Sequence, residues 1–344
     1  MESWELRMGE IKQMNKHLPW HGSQWRILQN RSEQDQLPHA LLLTGHQGVG
    51  KELFAKQFAS YLLCSDFDVA EGQACGVCKN CQLIKAGNYS DWLNVFPEEK
   101  GRAIKVDQIR AVASFVSKTA QLGGYKIIIV RPADSMNINA ANALLKTLEE
   151  PSPKTLIMLI THRLMVLPAT VRSRCQIVSF GIPDRQKAIE WLQHTEEFVG
   201  NDLSDAQINL LFSLANNAPL KVLELIENNE LSFREEIFQQ WFKFAKGELS
   251  LVELSSKWQK LDLVRVLNHL RSWVMDMIHI RQLDQKNIIN QDVESSLKEL
   301  ALSYEVQKFY KYHDELNQAL RWLLGQANLN PQLLIEGLLI KWLG

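Results

Sequence analysis

The segment that most constrains this 344-residue chain is the apolar run Ala40-Leu41-Leu42-Leu43-Thr44, closed by Gly45-His46-Gln47-Gly48-Val49-Gly50-Lys51. Apolar residues then recur at helical spacing, Leu53, Phe54, Phe58 and Leu62, between Glu52 and Leu63. The pattern predicts a strand, a phosphate loop and a helix. Glycines in such a loop let backbone N–H groups turn inward on phosphate oxygens; the helix N-terminus favours the same anion, and Lys51 adds a charge. The plainer alternative, a glycine turn with a surface lysine, fits the flanking strand and helix less well. Gly45, Gly48, Gly50 and Lys51 are thus the candidate nucleotide-binding residues, but the loop is degenerate. The next position, where a Ser or Thr hydroxyl ligates Mg2+, holds Glu52, a carboxylate set against phosphate charge. This puts ATP and Mg2+ binding by the chain in doubt.

The surrounding sequence predicts an α/β module, a parallel sheet with helices on both faces. Lys126-Ile127-Ile128-Ile129-Val130 is too apolar for a sheet with a solvated face. Ile109, Val112, Ala113 and Val116 mark a helix before it. Ile138 to Glu149 reads as another helix, stopped by Pro151 and Pro153, with a buried strand expected at Thr155 to Ile160 and a last strand at Gln176 to Ser179. Beyond Gly181-Ile182-Pro183 strand signals fade and the chain turns all-α, as in Leu263, Val266, Leu267, Leu270, Trp273, Val274 and Met277 along one face. A weak break at Asn228-Asn229 divides this half.

A phosphate loop that hydrolyses nucleotide also needs acidic residues at the end of a later strand, to hold Mg2+ and orient water. Here the strand ending at Val130 runs into Arg131-Pro132-Ala133, which can neither ligate a cation nor accept a proton. Asp134, beyond the strand-breaking Pro132, is expected to start or cap the following helix. Four of the five cysteines crowd into Cys64, Cys75, Cys78 and Cys81, a spacing that suits one tetrahedral Zn2+. Gly72 and Gly76 relieve its turns, and with all four positions filled by protein the metal would be structural. Free buried thiols are the alternative. The arginines of Thr170-Val171-Arg172-Ser173-Arg174-Cys175 precede a strand; an arginine finger needs such a delocalised fork, although a surface salt bridge is the plainer reading of the pattern alone. Lys105, Arg110 and Lys118 read more simply as a solvated helix face than as a DNA contact.

Charge narrows the partners. With 38 Lys and Arg against 39 Asp and Glu, bulk electrostatics gives no warrant for a nucleic-acid or membrane binder. Met1 to Trp20 interleaves Glu2, Glu5, Arg7, Glu10 and Lys12 with apolar residues, unlike a signal peptide, and no later run approaches a membrane span. A cytoplasmic protein is expected.

Several segments carry a specific likeness: Leu18-Pro19-Trp20, the phosphate loop, the four-cysteine insert, Ala141-Asn142-Ala143-Leu144-Leu145-Lys146-Thr147-Leu148-Glu149-Glu150-Pro151, Leu167-Pro168, Ser173-Arg174-Cys175 and Asn330-Pro331-Gln332-Leu333-Leu334-Ile335-Glu336. Over nearly its whole length the chain resembles the delta-prime family of bacterial DNA polymerase III clamp-loader subunits, within the AAA+ class. The resemblance implies an AAA+ nucleotidase-like domain over 1–181, a small helical lid over 182–229 and a helical oligomerisation collar over 230–344. It places Arg131 and Pro132 where motor subunits carry an Asp-Glu pair, and Leu220 where they carry a nucleotide-sensing arginine, beside Lys221. It also raises Arg174 to an arginine finger acting in trans. The implied role is a non-motor stator in a hetero-pentamer with gamma/tau-type motor subunits and a delta subunit, loading a sliding clamp on primed DNA. The chain would belong to the polymerase holoenzyme without polymerase or ATPase activity of its own. An autonomous motor-type AAA+ ATPase and a free-standing zinc-knuckle DNA binder are the alternatives.

Overall fold

The computed structural model describes residues 17–66, 72–99, 101–122, 124–282, 288–324 and 330–343. Most of the N-terminal stretch weighed as a leader therefore lies outside the described residues. Two compact units emerge: the described residues of Met1–Thr195 with Asn217–Glu224, and those of Glu196–Asn216 with Leu225–Gly344.

The first unit is built on five parallel strands, β1 (Ala40–Gly45), β2 (Trp92–Val95), β3 (Lys126–Val130), β4 (Thr155–Thr161) and β5 (Gln176–Phe180), in the order β2-β3-β4-β1-β5. Four of them match the expected positions within about a residue. The fifth, β2, carries no strong sequence signal because it is short and only partly buried. Side chains alternate across the pleat. Leu41, Leu43, Ile127, Ile129, Leu156, Met158 and Ile160 share one core with Trp25 and Leu28 of α1 (Gly22–Glu33) and Phe54 and Phe58 of α2 (Lys51–Leu63). Leu42, Ile128, Val130, Ile157 and Leu159 face the other core, with Val112 of α4 (Val106–Ser117) and Leu144 and Leu148 of α5 (Ile138–Glu149). A short helix α3 (Lys79–Lys85) follows the cysteine segment, α6 (Ala169–Arg172) precedes β5, and α7 (Arg185–Leu192) follows it. Both faces of the central strands β1, β3 and β4 are covered, which is why they read as unbroken apolar runs, whereas the edge strands β2 and β5 are partly or largely exposed.

The second unit is helical. α11 (Glu230–Ala245), α12 (Leu251–Trp258), α13 (Leu263–Arg281), α14 (Glu294–Ser303), α15 (Val306–Leu324) and α16 (Pro331–Leu343) enclose one core; before them come α8 (Glu196–Val199), α9 (Asp205–Leu214) and α10 (Pro219–Glu227), whose first residues belong to the first unit. Trp241, Trp258, Trp273 and Trp342 are all buried; Trp241 stacks on Trp273 at 5.6 Å, and Trp342 meets Trp241 and Tyr312, each at 5.1 Å. Such aromatic contacts contribute about 0.5–1.5 kcal/mol each beyond the area they bury.

Candidate nucleotide loop, cysteine cluster and arginine edge

The loop between β1 and α2 turns on Gly45, Gly48 and Gly50, all at positive φ, and the backbone of Gly50 at φ 92° delivers the chain into the first turn of α2. Protein packs closely against the loop. A methyl group added at Gly50 would lie 2.3 Å from Leu18 Cδ1 and 3.0 Å from His21 Cε1; one at Gly48 would lie 2.7 Å from Lys221 Cβ. Val49 O accepts from Trp20 Nε1 at 3.0 Å and binds His21 Nε2 at 2.8 Å, and the Leu220 amide donates to Gly48 O at 3.0 Å. Burial takes the His21 pKa down to about 4, so the ring is neutral near pH 7 and donates one N–H here. Leu220, at the position compared with a sensing arginine, thus gives the loop a backbone bond and an apolar side chain, while Lys221 pairs with Glu224 at 2.8 Å.

Lys51 is buried, and its ammonium donates to Gly45 O at 2.7 Å, His46 O at 2.6 Å and His162 Nδ1 at 3.1 Å. His162, immediately after β4, has its pKa lowered to about 4 by burial and by the Lys51 charge, so it meets Lys51 as a neutral acceptor. No motif marks His162 in the sequence; the parallel pairing of β1 with β4 brings it to the loop.

The two positions that depart from a hydrolytic phosphate loop meet in space. Glu52 and Arg131, both buried, form an ion pair; Lys56 Nζ lies 3.2 Å from the same carboxylate oxygen, and the Arg131 guanidinium lies over the Phe96 ring at 5.2 Å. Mg2+ does not fit this arrangement. The carboxylate that would receive it is held between two cations, and a guanidinium with donors only stands where an acidic ligand is needed.

Asp134 corrects the expectation of a helix cap. It lies in the 3-10 turn Ala133–Ser135, and Asn137 caps α5 by accepting from Ala140 N at 2.8 Å. Asp134 instead binds the end of β4, accepting from Thr161 Oγ1 at 3.0 Å, His162 N at 3.1 Å and Arg163 Nε at 2.9 Å. Burial alone raises its pKa, but these donors outweigh it and hold the carboxyl below the usual range.

The cysteines converge. The sulfurs of Cys64, Cys75, Cys78 and Cys81 lie within 4.8 Å of one another, with Cys64 at 3.5, 3.8 and 3.6 Å from the other three. Four sulfurs each about 2.3 Å from a tetrahedral Zn2+ would be spaced by about 3.8 Å. Amides of Cys75 and Cys78 point at the preceding sulfurs, each at 3.3 Å, and Cys81 N at Cys78 Sγ at 3.4 Å, as suits thiolate acceptors. Cys78 also caps α3. Burial works to raise its pKa, but donors from Ser65 and Cys81 bring it down to about 5; burial pushes Cys64 and Cys81 up. The donor set can hold one metal ion. Trp25 Nε1 donates to Gly72 O at 3.1 Å and Asn80 Nδ2 to Leu63 O at 2.8 Å, fastening the module to α1 and α2.

Arg174 lies just after α6, with its side chain 35% exposed. Its guanidinium reaches Glu149, the last residue of α5, at 2.5 Å and donates to Thr170 O at 2.9 Å. Arg172 turns instead to Met165. Lys105 and Arg110 are exposed and paired with Glu98 and Asp107 at 2.6 and 2.8 Å. Among the described residues no helix is long and apolar enough to cross a membrane.

A parallel sheet ordered β2-β3-β4-β1-β5, with a glycine-rich loop leaving β1, gives an AAA+-like α/β fold, here joined to a helical second half. Family profiles described as "DNA polymerase III, delta subunit" and "DNA polymerase III, delta subunit, C terminal" match residues 20–183 and 228–344. A Pseudomonas aeruginosa protein named DNA polymerase III subunit delta' is 34% identical over 325 residues, 94% of this chain and 96% of its own length. One of the same name from Bacillus subtilis is 32% identical over 95% of both chains. A solved Thermotoga maritima protein, "DNA polymerase III, gamma subunit-related", aligns over 93% of this chain and 97% of its own, at 21% identity with a TM-score of 0.48. The chain belongs to the family of DNA polymerase III delta-prime subunits.

Proposed function

We propose that this chain is the non-motor, stator subunit of a DNA polymerase III clamp loader in the cytoplasm, and that it completes the ATP site of an adjacent motor subunit with Arg174. The observation that carries the reading is the contact between Glu52 and Arg131, since the positions that would bind Mg2+ beside the phosphate loop are bound to each other. Arg174 supports the second half of the reading. It is partly exposed and oriented by Glu149 and Thr170, and exchanging the Glu149 carboxylate for a neighbour's γ-phosphate would keep its fork paired with an anion. Residues 182–229 would act as the lid and 230–344 as the collar that joins gamma/tau-type motor subunits and a delta subunit in a hetero-pentamer. The cysteine cluster would carry a structural Zn2+, and the sliding clamp and primed DNA would be met through the assembled complex.

The test is reconstitution with the partner subunits. The chain alone should turn over no ATP above background. Arg174→Ala should assemble normally yet slow hydrolysis at the adjoining ATP site by about a thousandfold or more, as loss of an arginine finger does elsewhere. ATPase activity of the isolated chain that Lys51→Ala abolishes, or unchanged turnover in the Arg174→Ala complex, would overturn the reading.

A further inference from the structure

We propose that the Glu52–Arg131 ion pair is a built-in substitute for the divalent cation, joining the first turn of α2 to the end of β3 permanently and excluding Mg2+-nucleotide from the loop. In a hydrolytic phosphate loop a hydroxyl after the lysine and a carboxylate at a strand end are linked only through Mg2+, so that link comes and goes with nucleotide. Here the acid has moved to the loop side, at Glu52, and a cation has moved to the strand side, at Arg131. The two charges are exchanged in position and opposite in sign, so they attract directly and need no metal between them. Both side chains are buried, at 8% and 9% exposure, where solvent screens the attraction least. Phe96 covers the guanidinium and Lys56 adds a second cation beside the carboxylate. A divalent ion entering this space would meet two positive groups and only one carboxylate already held by both. On the loop side Lys51 engages Gly45, His46 and His162, so the lysine that would grip phosphate is also held by protein.

The inference rests on the reading that the module turns over no nucleotide, yet it can fail separately. The full chain, Glu52→Ser, Arg131→Asp and the double variant would be titrated with a fluorescent ATP analogue in Mg2+ and in EDTA, with circular dichroism on each. The native chain should show the same weak binding and the same melting midpoint in both buffers. Glu52→Ser removes the carboxylate from beside Arg131, and Arg131→Asp sets a second carboxylate against Glu52 and Lys56, so both single variants should melt earlier than the native chain and the double variant. The double variant should recover the native midpoint in part and bind the analogue at least tenfold more tightly with Mg2+ than without. Mg2+-enhanced binding by the native chain would overturn the proposal. So would a folded double variant that gains no Mg2+ dependence, even if the isolated native chain hydrolyses no ATP. If the double variant does not fold, the native chain decides: a melting midpoint raised by Mg2+ or Mg2+-ATP sinks the idea, and equal midpoints in EDTA and Mg2+ uphold it.

Discussion

Replacing Gly50 with alanine tests how tightly residues 18–21 pack against the phosphate loop, and Gly87 supplies the control. Both lie in the same compact unit and both hold positive φ, 92° at Gly50 and 70° at Gly87, where an added Cβ costs about 1–2 kcal/mol from backbone strain alone. They differ in surroundings. A Cβ at Gly87 meets nothing within 4 Å, whereas one at Gly50 falls 2.3 Å from Leu18 Cδ1 and 3.0 Å from His21 Cε1. His21 is pinned to Val49 O and enclosed by the rings of Phe54 and Phe180, so it cannot simply swing aside. Overpacking of this kind typically costs a further 1–3 kcal/mol. Gly50→Ala should therefore be less stable than Gly87→Ala by about 1–3 kcal/mol, or about 2–4 °C of melting temperature per kcal/mol for a unit of this size. Urea denaturation followed by far-UV circular dichroism gives the comparison. Equal losses in the two variants would mean that residues 18–21 do not pack closely against the loop.

The cysteine cluster predicts about one equivalent of Zn2+ per purified chain by metal analysis, with Cys81→Ser retaining less than about a tenth of it; a chain equally stable and metal-free in both forms would refute a structural site. In the helical unit, burial raises the Glu230 pKa, but bonds from His269 Nε2 at 2.6 Å and Arg265 Nη2 at 2.8 Å outweigh it and leave the carboxyl below its ordinary value. Its contribution is thus present above the unfolded carboxyl pKa and lost as pH falls through the lower folded one. Glu230→Gln should cost about 1–3 kcal/mol at pH 7, a gap that holds down to about pH 5 and then closes; a gap that widens in acid would reverse the assignment.

What was legible in the sequence was what local chemistry writes locally. Three glycines between an apolar run and an amphipathic helix announce the loop, and Cys64, Cys75, Cys78 and Cys81 announce their cluster by spacing. Lys126–Val130 announces a doubly covered strand because every residue is apolar after the first. β2 was not legible, since Trp92 to Val95 is too short for a periodic signal and sits at the sheet edge. Asp134 was misread for a physical reason: Pro132 does interrupt the strand, but the turn that follows returns the carboxylate to the end of β4. His162 and His21 were invisible because their roles depend on strand order and on an N-terminal segment crossing the loop. Glu52 and Arg131 each stood out as departures from a hydrolytic pattern. Only the pairing of the sheet with α2 makes them a single feature.

The position of Cys64 gives the cysteine module a mechanical meaning. Cys64 is the C-cap that follows α2, and Lys51 and Glu52 are the residues that begin it. This helix of about 20 Å is therefore fastened at both tips, by an ion pair to β3 at one and by a sulfur cluster at the other. The cysteine module and the glycine loop thus share one helix as their common support.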